Sequence, residues 1–163
     1  MTQERLKFLF DYHPDGYFIH TGRGYKRAFK GRKTTGSLYK SGRKMITIDS
    51  KIRMMSRMVF LWHRGYLPPQ VDHINRIKDD DRIENLRAAT AQLNQANTFS
   101  SRNKSGFKGV HKCSSTGKWV ASIRCNGRAY SLGSYLEKSE AGRAYDKKAK
   151  EFFGDFAYLN FAS

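Results

Sequence analysis

Four side chains that can bind a cation or move a proton lie near the middle of the sequence. Asp72 and His73 are adjacent, Asn85 follows His73 by twelve residues, and Asn94 follows nine residues later. Carboxylate and amide oxygens suit a Mg²⁺-type ion, which takes few protein ligands and keeps several waters. An imidazole titrates near neutral pH and can accept a proton from water. We therefore expect Asp72 and Asn94 to bind a divalent cation and His73 to act as a general base.

This set of residues suits metal-assisted hydrolysis of a phosphodiester. The reaction needs an activated water and a cation that neutralises charge developing on the scissile phosphate and on the leaving oxygen. An Asp–His pair alone is a weak signal, because a histidine beside an apolar strand is more often structural. Three consecutive acids in a loop point in different directions, so we expect residues 79–81 (DDD) to form a solvated turn and not a second metal site.

The spacing of three short segments makes the signal specific: VDHIN at 71–75, RIENLR at 82–87 and NQAN at 94–97. Together they resemble the HNH endonucleases with a ββα-metal core, in particular the phage and intron-encoded homing type, over roughly residues 57–98. The resemblance implies that Asp72 and Asn94 bind one divalent cation and that His73 is the general base. It also implies that Asn85 hydrogen-bonds across the loop to hold the His73 strand. Because many relatives have a histidine where Asn94 stands, it implies Mg²⁺, or alternatively Mn²⁺, and not zinc.

A second set of motifs occupies the C-terminal part: FKGV at 107–110, GKWVASIR at 117–124, LGSY at 132–135, AYD at 144–146 and LNF at 159–161. They are similar to the DNA-binding domain of plant ethylene-response factors over residues 106–161. The resemblance implies a three-stranded antiparallel sheet that lies in the major groove, supported by one helix. Matching positions make Lys108, His111 and Arg124 contacts to double-stranded DNA. Arg128 joins them. Lys108, Arg124 and Arg128 are expected to face DNA because unpaired cations on a sheet have no structural need to be there.

Two aromatic residues of this region have alternative interpretations. Trp119 alternates with Ala121 and Ile123, which favours a core position over a DNA contact. Tyr130 fits either role. Ala129 and Ser131 stand where the plant domain has an Arg and a Trp contact, so the DNA target of that domain is not carried over.

The charge balance predicts a polyanionic partner. The chain has 31 Lys and Arg against 14 Asp and Glu, a formal net charge of +17, and no apolar run of membrane-spanning length. Lys and Arg that neutralise phosphates release counterions, so this excess favours nucleic acid and argues against a membrane. Residues 22–42 are glycine-rich and basic, and form either a ribbon-like arm along a phosphate backbone or a solvated loop. The cations of this arm assigned to DNA are Arg23, Lys26, Arg27, Lys30, Arg32 and Lys33.

The elements that position the four central residues follow from hydrophobic periodicity and turn signals. A strand ends at Asp72 and His73, and after a polar loop a second strand at 86–89 precedes a helix that opens at Thr90. Before them we expect a helix at 3–12, a strand at 17–19, a hairpin across 45–55 and a helix at 57–63 capped by Ser56. After them we expect strands at 107–111, 119–124 and 129–132, and a helix that Ser139 caps and that runs to about Phe153.

These elements predict an α+β protein with two small domains. A ββα-metal (HNH) nuclease with its basic arm occupies residues 1–98, a linker 99–105, and the DNA-binding module 106–163. Cys113 and Cys125 form no Cys-x-x-Cys pair, which argues against a disulfide framework and a cysteine zinc site. The N-terminus does not resemble a secretory signal, so we expect a cytoplasmic protein, in a bacterial host cell if phage-encoded. No heptad repeat is visible, which favours a monomer.

The predicted function is a metal-dependent, homing-type DNA endonuclease acting on double-stranded DNA. One alternative is a DNA-binding regulator whose nuclease core has lost activity, and the intact Asp72, His73, Asn85 and Asn94 argue against it. A second alternative is a basic RNA-binding protein.

Overall fold

A computed structural model describes residues 1–24, 27–99 and 103–161. They form the mixed α+β architecture that the sequence predicts, divided into two compact units, Met1–Thr90 and Ala91–Ser163. The first unit contains α1 (Gln3–Leu9), β1 (Phe10–His13), β2 (Tyr17–His20), β3 (Lys33–Thr34), β4 (Ser37–Leu38), β5 (Lys44–Ile48), β6 (Lys51–Met54), α2 (Met55–Arg64), β7 (Gln70–His73) and β8 (Leu86–Ala89). The second contains α3 (Ala91–Ala96), β9 (Val110–Lys112), β10 (Trp119–Cys125), β11 (Arg128–Tyr135) and α4 (Lys138–Phe153).

The first unit packs its small sheets around α2. The described strands form three antiparallel sheets, in the orders β1-β2-β3, β4-β5-β6 and β7-β8. Helix α2 buries most of its residues, and it ends at Gly65, whose left-handed backbone (φ 78°) lets its N–H donate to Leu61 O. The core of this unit joins both helices to all three sheets through Leu6, Leu9, Phe10, Phe18, Ile46, Ile48, Met55, Met58, Val59, Phe60, Leu61, Val71 and Leu86.

Two N-terminal segments differ from the sequence prediction. The predicted helix at 3–12 ends at Leu9, because Phe10–His13 pairs in antiparallel register with Tyr17–His20 and so gains strand hydrogen bonds. Part of the basic arm is also ordered, since Lys33–Thr34 adds a third strand to this sheet and His20 N–H donates to Arg32 O. This part of the arm is therefore paired with a strand, while its role along a phosphate backbone stays a prediction. Lys26 lies outside the described residues.

The second unit has the predicted three-stranded antiparallel sheet packed on one helix. Its order is β11-β10-β9, and α4 lies against β10 and β11. The hairpin turn is Asn126–Gly127, both with positive φ (51° and 76°), as a two-residue turn of this type requires. The helix buries Ala141, Tyr145, Ala149 and Phe153 at intervals of four residues. It begins at Lys138 with Glu137 at its N-cap, so the predicted Ser139 cap is wrong.

The division between the units falls at the start of α3. Leu93 and Ala96 of this helix pack into the core of the second unit, with Tyr145 and Phe153. The sequence placed the helix with residues 1–98, because its predicted ligand belongs with Asp72. The functional limits 1–98, 99–105 and 106–163 stay a prediction, and residues 100–102 of the linker lie outside the described residues. None of the described helices has the length and apolar character needed to cross a bilayer.

Candidate active site

The β7-β8 hairpin places Asp72 and His73 on opposite faces of one strand. Asp72 lies opposite Arg87, and His73 lies opposite Leu86. Successive side chains of a strand alternate between its faces, so the two predicted site residues point away from each other. Val71 of the same strand is buried in the first unit's core. This apolar anchor fixes the strand that carries both polar residues.

Asp72 is buried and held by a guanidinium. Its side chain is 4% exposed, and its Oδ2 accepts hydrogen bonds from Nε of Arg87 at 2.9 Å, with Nη2 of Arg87 2.8 Å away. A buried carboxylate needs such a partner, because an isolated charge is costly to remove from water. Arg87 was not expected from the sequence, although its position in the RIENLR segment, opposite Asp72 in a hairpin, is a signal that indicates it.

His73 is buried between an acidic side chain and a cationic side chain. Its Nε2 lies 3.0 Å from Oδ1 of Asp81, and both side chains are nearly inaccessible (3% and 1% exposed). On the other side of the ring, Nη1 of Arg43 lies 3.4 Å from Nδ1. Sequence reasoning missed both partners. Arg43 comes from a segment thirty residues earlier, and only the tertiary fold brings it to the histidine.

Asn85 ties the loop between the two strands together. Its Oδ1 accepts a hydrogen bond from the backbone N–H of Asn75 (2.9 Å), and its Nδ2 donates to the backbone carbonyl of Asp80 (2.8 Å). Its own carbonyl accepts from Ile74 N–H (2.9 Å). These bonds span the loop directly after His73, which is the arrangement implied by the HNH resemblance. The catalytic contribution of Asn85 stays a prediction.

The solvated-turn interpretation of residues 79–81 is wrong for two of the three acids. Asp81 points inward to His73, as described above. Asp80 accepts from Nε and Nη2 of Arg82, both at 2.7 Å, and from Nδ2 of Asn75 at 2.7 Å. The Arg82 hydrogen bonds hold the pKa of Asp80 at about 2. The loop folds back on itself, so the consecutive acidic side chains have different protein partners and are not all exposed to solvent.

Other parts of the first unit fix this loop in place. Lys44 Nζ donates to the carbonyl of Asp79 (2.7 Å), and Lys78 Nζ donates to the carbonyl of Ser41 (3.2 Å). The hydroxyl of Tyr12 accepts from the backbone N–H of Ile83 (3.1 Å), and burial raises the pKa of this tyrosine. The first two bonds bring the 39–44 turn, and with it Arg43, beside His73.

The predicted metal ligands have donor chemistry that fits a hard cation. Asp72 offers a carboxylate from the first unit, and Asn94 offers a half-buried amide from α3 in the second. No cluster of three or more His, Cys, Asp and Glu side chains with metal-binding geometry occurs among the described residues. An ion of the Mg²⁺ type binds through one or two protein carboxylates and several waters, so it does not need such a cluster. Because Arg87 engages Oδ2 of Asp72, a cation would compete with this guanidinium or use the other oxygen.

The four predicted DNA contacts of the second unit fall into different environments. Strand β10 buries Ala121, Ile123 and Cys125, so the side chains between them face outward. His111 and Arg124 lie on this outer face, since His111 pairs with Val120. Arg128 pairs with Cys125 and therefore belongs to the helix-bearing face, although it is exposed.

Lys108 has a structural partner that the sequence analysis did not expect. Its Nζ donates to the carbonyls of Gln95 and Ala96 at the C-terminal end of α3. It also lies 5.8 Å from the ring centre of Tyr158. The premise that this cation has no structural need is thus wrong, because the last carbonyls of a helix lack helical partners.

The two aromatic residues left open by the sequence lie on the helix side. Trp119 packs against the core of Val110, Ala121 and Ala141, which confirms the core interpretation. Tyr130 is 37% exposed and packs its ring edge on Phe152, with centroids 5.1 Å apart.

The described arm cations that were assigned to DNA are solvent-accessible, as phosphate contacts would need to be. They are Arg23, Arg27, Lys30, Arg32 and Lys33. Nζ of Lys33 lies 3.8 Å from the ring centre of Tyr17. Arg23 and Lys30 line a cleft of about 300 Å³, together with Lys7 and His20.

Comparison with known proteins identifies the central segment. Residues 53–96 match a family model described as HNH endonuclease. A protein of Acanthamoeba polyphaga mimivirus named as an uncharacterized HNH endonuclease is 38% identical over 90 residues. The aligned part covers 55% of this chain and 46% of that protein, so the chain spans about half the length of this relative. No solved structure matches. The chain is therefore similar to HNH endonucleases over the segment that carries Asp72, His73, Asn85 and Asn94.

Proposed function

We propose that the protein is a metal-dependent endonuclease that hydrolyses phosphodiester bonds in double-stranded DNA. The observation that carries this proposal is the buried His73, held between Asp81 and Arg43 on a strand that also presents Asp72. A histidine oriented by a carboxylate on one ring nitrogen is suited to proton transfer at the other. The match of residues 53–96 to HNH endonucleases supports the same chemistry.

His73 is the proposed general base. It takes a proton from the attacking water, whose oxygen forms a new bond to phosphorus while the bond to the leaving sugar oxygen breaks. That oxygen then takes a proton from solvent. Arg43 lies beside the ring with a positive charge, and it is suited to bind a phosphate oxygen once DNA is present. Asn85 keeps the loop after His73 in position through its two side-chain hydrogen bonds.

Asp72 and Asn94 are the proposed ligands of a divalent cation, Mg²⁺ or alternatively Mn²⁺. When bound, such a cation neutralises charge that develops on the scissile phosphate. Arg87 holds Asp72 in a single orientation in the absence of the cation. The preference for an oxygen-binding metal rests on the absence of a histidine at Asn94, as the HNH resemblance implies.

Binding to DNA is assigned to cations in both units. The net charge of +17 supplies the driving force, since each neutralised phosphate releases counterions. In the first unit the exposed arm cations carry this role. In the second unit His111 and Arg124 share the outer face of the sheet, and the ethylene-response-factor resemblance assigns that face to the major groove. We extend the proposal to homing-type cleavage of DNA by a phage-encoded protein. Each chain has one active centre, which would cut one DNA strand.

Cleavage of supercoiled plasmid with Mg²⁺, with and without a chelator, tests this function. We expect nicked product that requires the cation. His73→Ala should lower the cleavage rate by roughly 10²-fold to 10⁴-fold, the usual contribution of a general base, and leave DNA affinity nearly unchanged. His13→Ala is the matched control, because the His13 side chain is half-buried at the end of β1 and contacts Asp15 and Tyr17, away from the proposed site residues. Wild-type rates for His73→Ala would remove this residue from the mechanism.

A further inference from the structure

We propose that Asp81 is a positioning residue that fixes the tautomer of His73, so that Nε2 carries the proton and Nδ1 is the nitrogen that accepts one from water. This inference rests on the proposed function, in which His73 is the general base. Neither the sequence pattern nor the comparisons assign a role to Asp81.

Asp81 and Arg43, which lie on either side of the His73 ring, favour the same tautomer. Oδ1 of Asp81 lies 3.0 Å from Nε2, and a carboxylate only accepts hydrogen bonds. Nη1 of Arg43 lies 3.4 Å from Nδ1, and a guanidinium only donates. A neutral imidazole has one donor nitrogen and one acceptor nitrogen. Only the form with hydrogen on Nε2 satisfies both neighbours, so two independent contacts select the same state.

Burial makes the contact between Asp81 and His73 matter energetically. The two side chains are 1% and 3% exposed, so water does not replace a lost hydrogen bond there. Oδ2 of Asp81 is also buried and has no hydrogen-bond partner among the described residues. The interaction of this carboxylate with its surroundings is therefore concentrated on the bond from Nε2. Rotating the ring, or moving its proton to Nδ1, would leave a buried acceptor without a donor, which is unfavourable where water cannot replace the lost hydrogen bond.

The backbone gives Asp81 little freedom to turn away. A Cβ at Gly16 would lie 2.7 Å from Arg82 N and 2.8 Å from the carbonyl carbon of Asp81, so the turn between β1 and β2 abuts this peptide. Asn85 Nδ2 donates to the preceding carbonyl, that of Asp80. The acid is thus presented to the imidazole by a closely packed backbone. This packing distinguishes Asp81 from Asp79, whose carbonyl is bonded to Lys44.

The consequence for the reaction is a defined side of attack. With Nε2 occupied by Asp81, the activated water must approach Nδ1, on the side of Arg43. The positive charge that the ring gains on accepting a proton is balanced by the Asp81 carboxylate, as in other histidine–carboxylate arrangements. Arg43, displaced from Nδ1 by the water, then lies next to the reacting phosphate.

The first test is spectroscopic and uses the intact wild-type protein. Long-range ¹H–¹⁵N correlation spectra of ¹⁵N-histidine-labelled protein distinguish the two tautomers of each ring. The chain has 5 histidines, and the spectrum of His73→Ala identifies the signals of His73. At a pH where the ring is neutral, we expect hydrogen on Nε2. Hydrogen on Nδ1 in the wild-type protein would overturn the proposal, whatever any variant does.

The second test distinguishes a role of Asp81 as hydrogen-bond acceptor from a role in packing alone. Asp81→Leu keeps a side chain of similar size but offers no acceptor. We expect the kcat for cleavage to fall by about 10²-fold or more, with KM for DNA little changed and with loss of the single tautomer. Asp81→Asn retains an oxygen that can accept from Nε2 but carries no charge to balance the protonated ring, so we expect its kcat to stay well below that of the wild-type protein. Asp79→Asn is the matched control and should cleave at the wild-type rate.

The outcomes separate this inference from the proposed function. A folded Asp81→Leu with wild-type kcat and an unchanged tautomer overturns the role of Asp81. A folded Asp81→Leu whose KM for DNA rises while its kcat stays at the wild-type level also overturns it, because the residue would then act on binding and not on His73. If the wild-type protein cleaves no DNA with Mg²⁺ or Mn²⁺, the proposed function fails. The tautomer spectrum then still decides the interaction between Asp81 and His73.

Discussion

At the scale of single residues, each polar side chain of the site depends on a partner of opposite charge or complementary hydrogen bonding. Asp72 is held by Arg87, and His73 is held by Asp81. Because these groups are buried, removing one partner leaves the other in an environment of low dielectric, where it is costly. Substitutions that keep the shape of the side chain therefore report on chemistry better than truncations to alanine.

The assignment of metal ligands predicts a change in metal requirement. Asp72→Asn and Asn94→Ala should each lower cleavage at low Mg²⁺, with partial recovery at high Mg²⁺, because a ligand contributes to affinity for the cation and not to proton transfer. His73→Ala should show no such recovery. Titrating Mg²⁺ against the initial cleavage rate measures both effects. Full activity of Asn94→Ala at low Mg²⁺ would contradict the role of Asn94.

The Asp80–Arg82 ion pair predicts a pH-dependent contribution to stability. The pKa of Asp80 falls from an ordinary 3.8 to about 2 in the folded protein, mainly through hydrogen bonds from Arg82. A carboxyl whose pKa is depressed stabilises the fold above its unfolded pKa and loses this effect as pH falls through the folded value. Asp80→Asn should therefore destabilise the protein near pH 6 by about 1 kcal/mol, after allowance for solvent screening at the half-exposed Arg82.

Urea unfolding of wild type and Asp80→Asn at several pH values measures this effect. The difference between the two proteins should be constant above about pH 5 and shrink between pH 4 and pH 2. Glu84, 3.9 Å from Arg82, is the neighbouring carboxylate and remains in both proteins. A difference that persists unchanged at pH 2 would mean that the charge of Asp80 is not its source.

At the scale of elements, the site depends on how the β7-β8 loop is closed. Its closure relies on side-chain hydrogen bonds instead of a tight two-residue turn, since residues 74–85 separate the strands. Asn85 supplies two of these bonds from within the loop itself. The loop is therefore ordered by one buried amide and by the surrounding unit, and its order should be sensitive to that amide.

Asn85→Ala should lower both stability and catalysis. It leaves Asn75 N–H and the carbonyl of Asp80 without their partners, at a cost of about 2 kcal/mol. We expect slower cleavage at unchanged DNA affinity, because the loop positions Asp81 and His73 and contributes little to phosphate binding. Glu84→Ala is the control, since Glu84 is exposed and adjacent. Thermal unfolding and single-turnover cleavage report the two effects separately, and a variant as stable and as fast as Glu84→Ala would contradict this role.

In the second unit, we expect alanine to destabilise the protein much more at Gly109 than at Gly117. Both Gly109 and Gly117 have positive φ (73° and 68°), so both substitutions strain the backbone by about 1–2 kcal/mol. A Cβ at Gly109 would in addition lie 2.0 Å from the Tyr145 ring, whereas nothing lies within 4 Å at Gly117. Gly109→Ala should therefore destabilise the unit by roughly 3 kcal/mol or more. Equal thermal unfolding of the two variants would contradict the packing of Tyr145 against this glycine.

At the scale of the whole molecule, the proposed binding to DNA draws on the charge of +17, and the sheet register decides which cations of the second unit face outward. Arg124 faces outward, whereas Lys108 binds carbonyls at the end of α3. A cation used inside the protein contributes to stability, and one that faces DNA contributes to salt-dependent affinity. The two roles can therefore be distinguished by measuring stability and the salt dependence of DNA affinity.

Arg124→Ala and Lys108→Met test this division. Arg124→Ala should reduce the slope of log affinity against log salt by about 0.9, the value for one lost phosphate contact on duplex DNA, at unchanged stability. Lys108→Met should lower the unfolding temperature with little change in slope, because its ammonium is engaged by the backbone. Equal slopes for Arg124→Ala and wild type would mean that Arg124 does not contact the phosphate backbone.

The sequence by itself determined the features that depend on local pattern. The α+β composition, the β7 and β8 strands, the Asn126–Gly127 hairpin and the helix on the second sheet follow from hydrophobic periodicity and turn residues, which act over a few positions. The spacing of Asp72, His73, Asn85 and Asn94 was likewise enough to indicate HNH-type chemistry, and the comparisons agree over residues 53–96.

Only the tertiary structure decided which side chains meet. Arg43 reaches His73 from a turn thirty residues earlier in the sequence. Asp81 turns inward where three acids indicated a solvated loop, and Lys108 binds α3 instead of facing outward. The reason is physical. A short-range pattern specifies a backbone conformation, but the partner of a buried charge is chosen by the fold as a whole, because an unpaired charge cannot be buried and each one must find a neighbour that chain packing supplies.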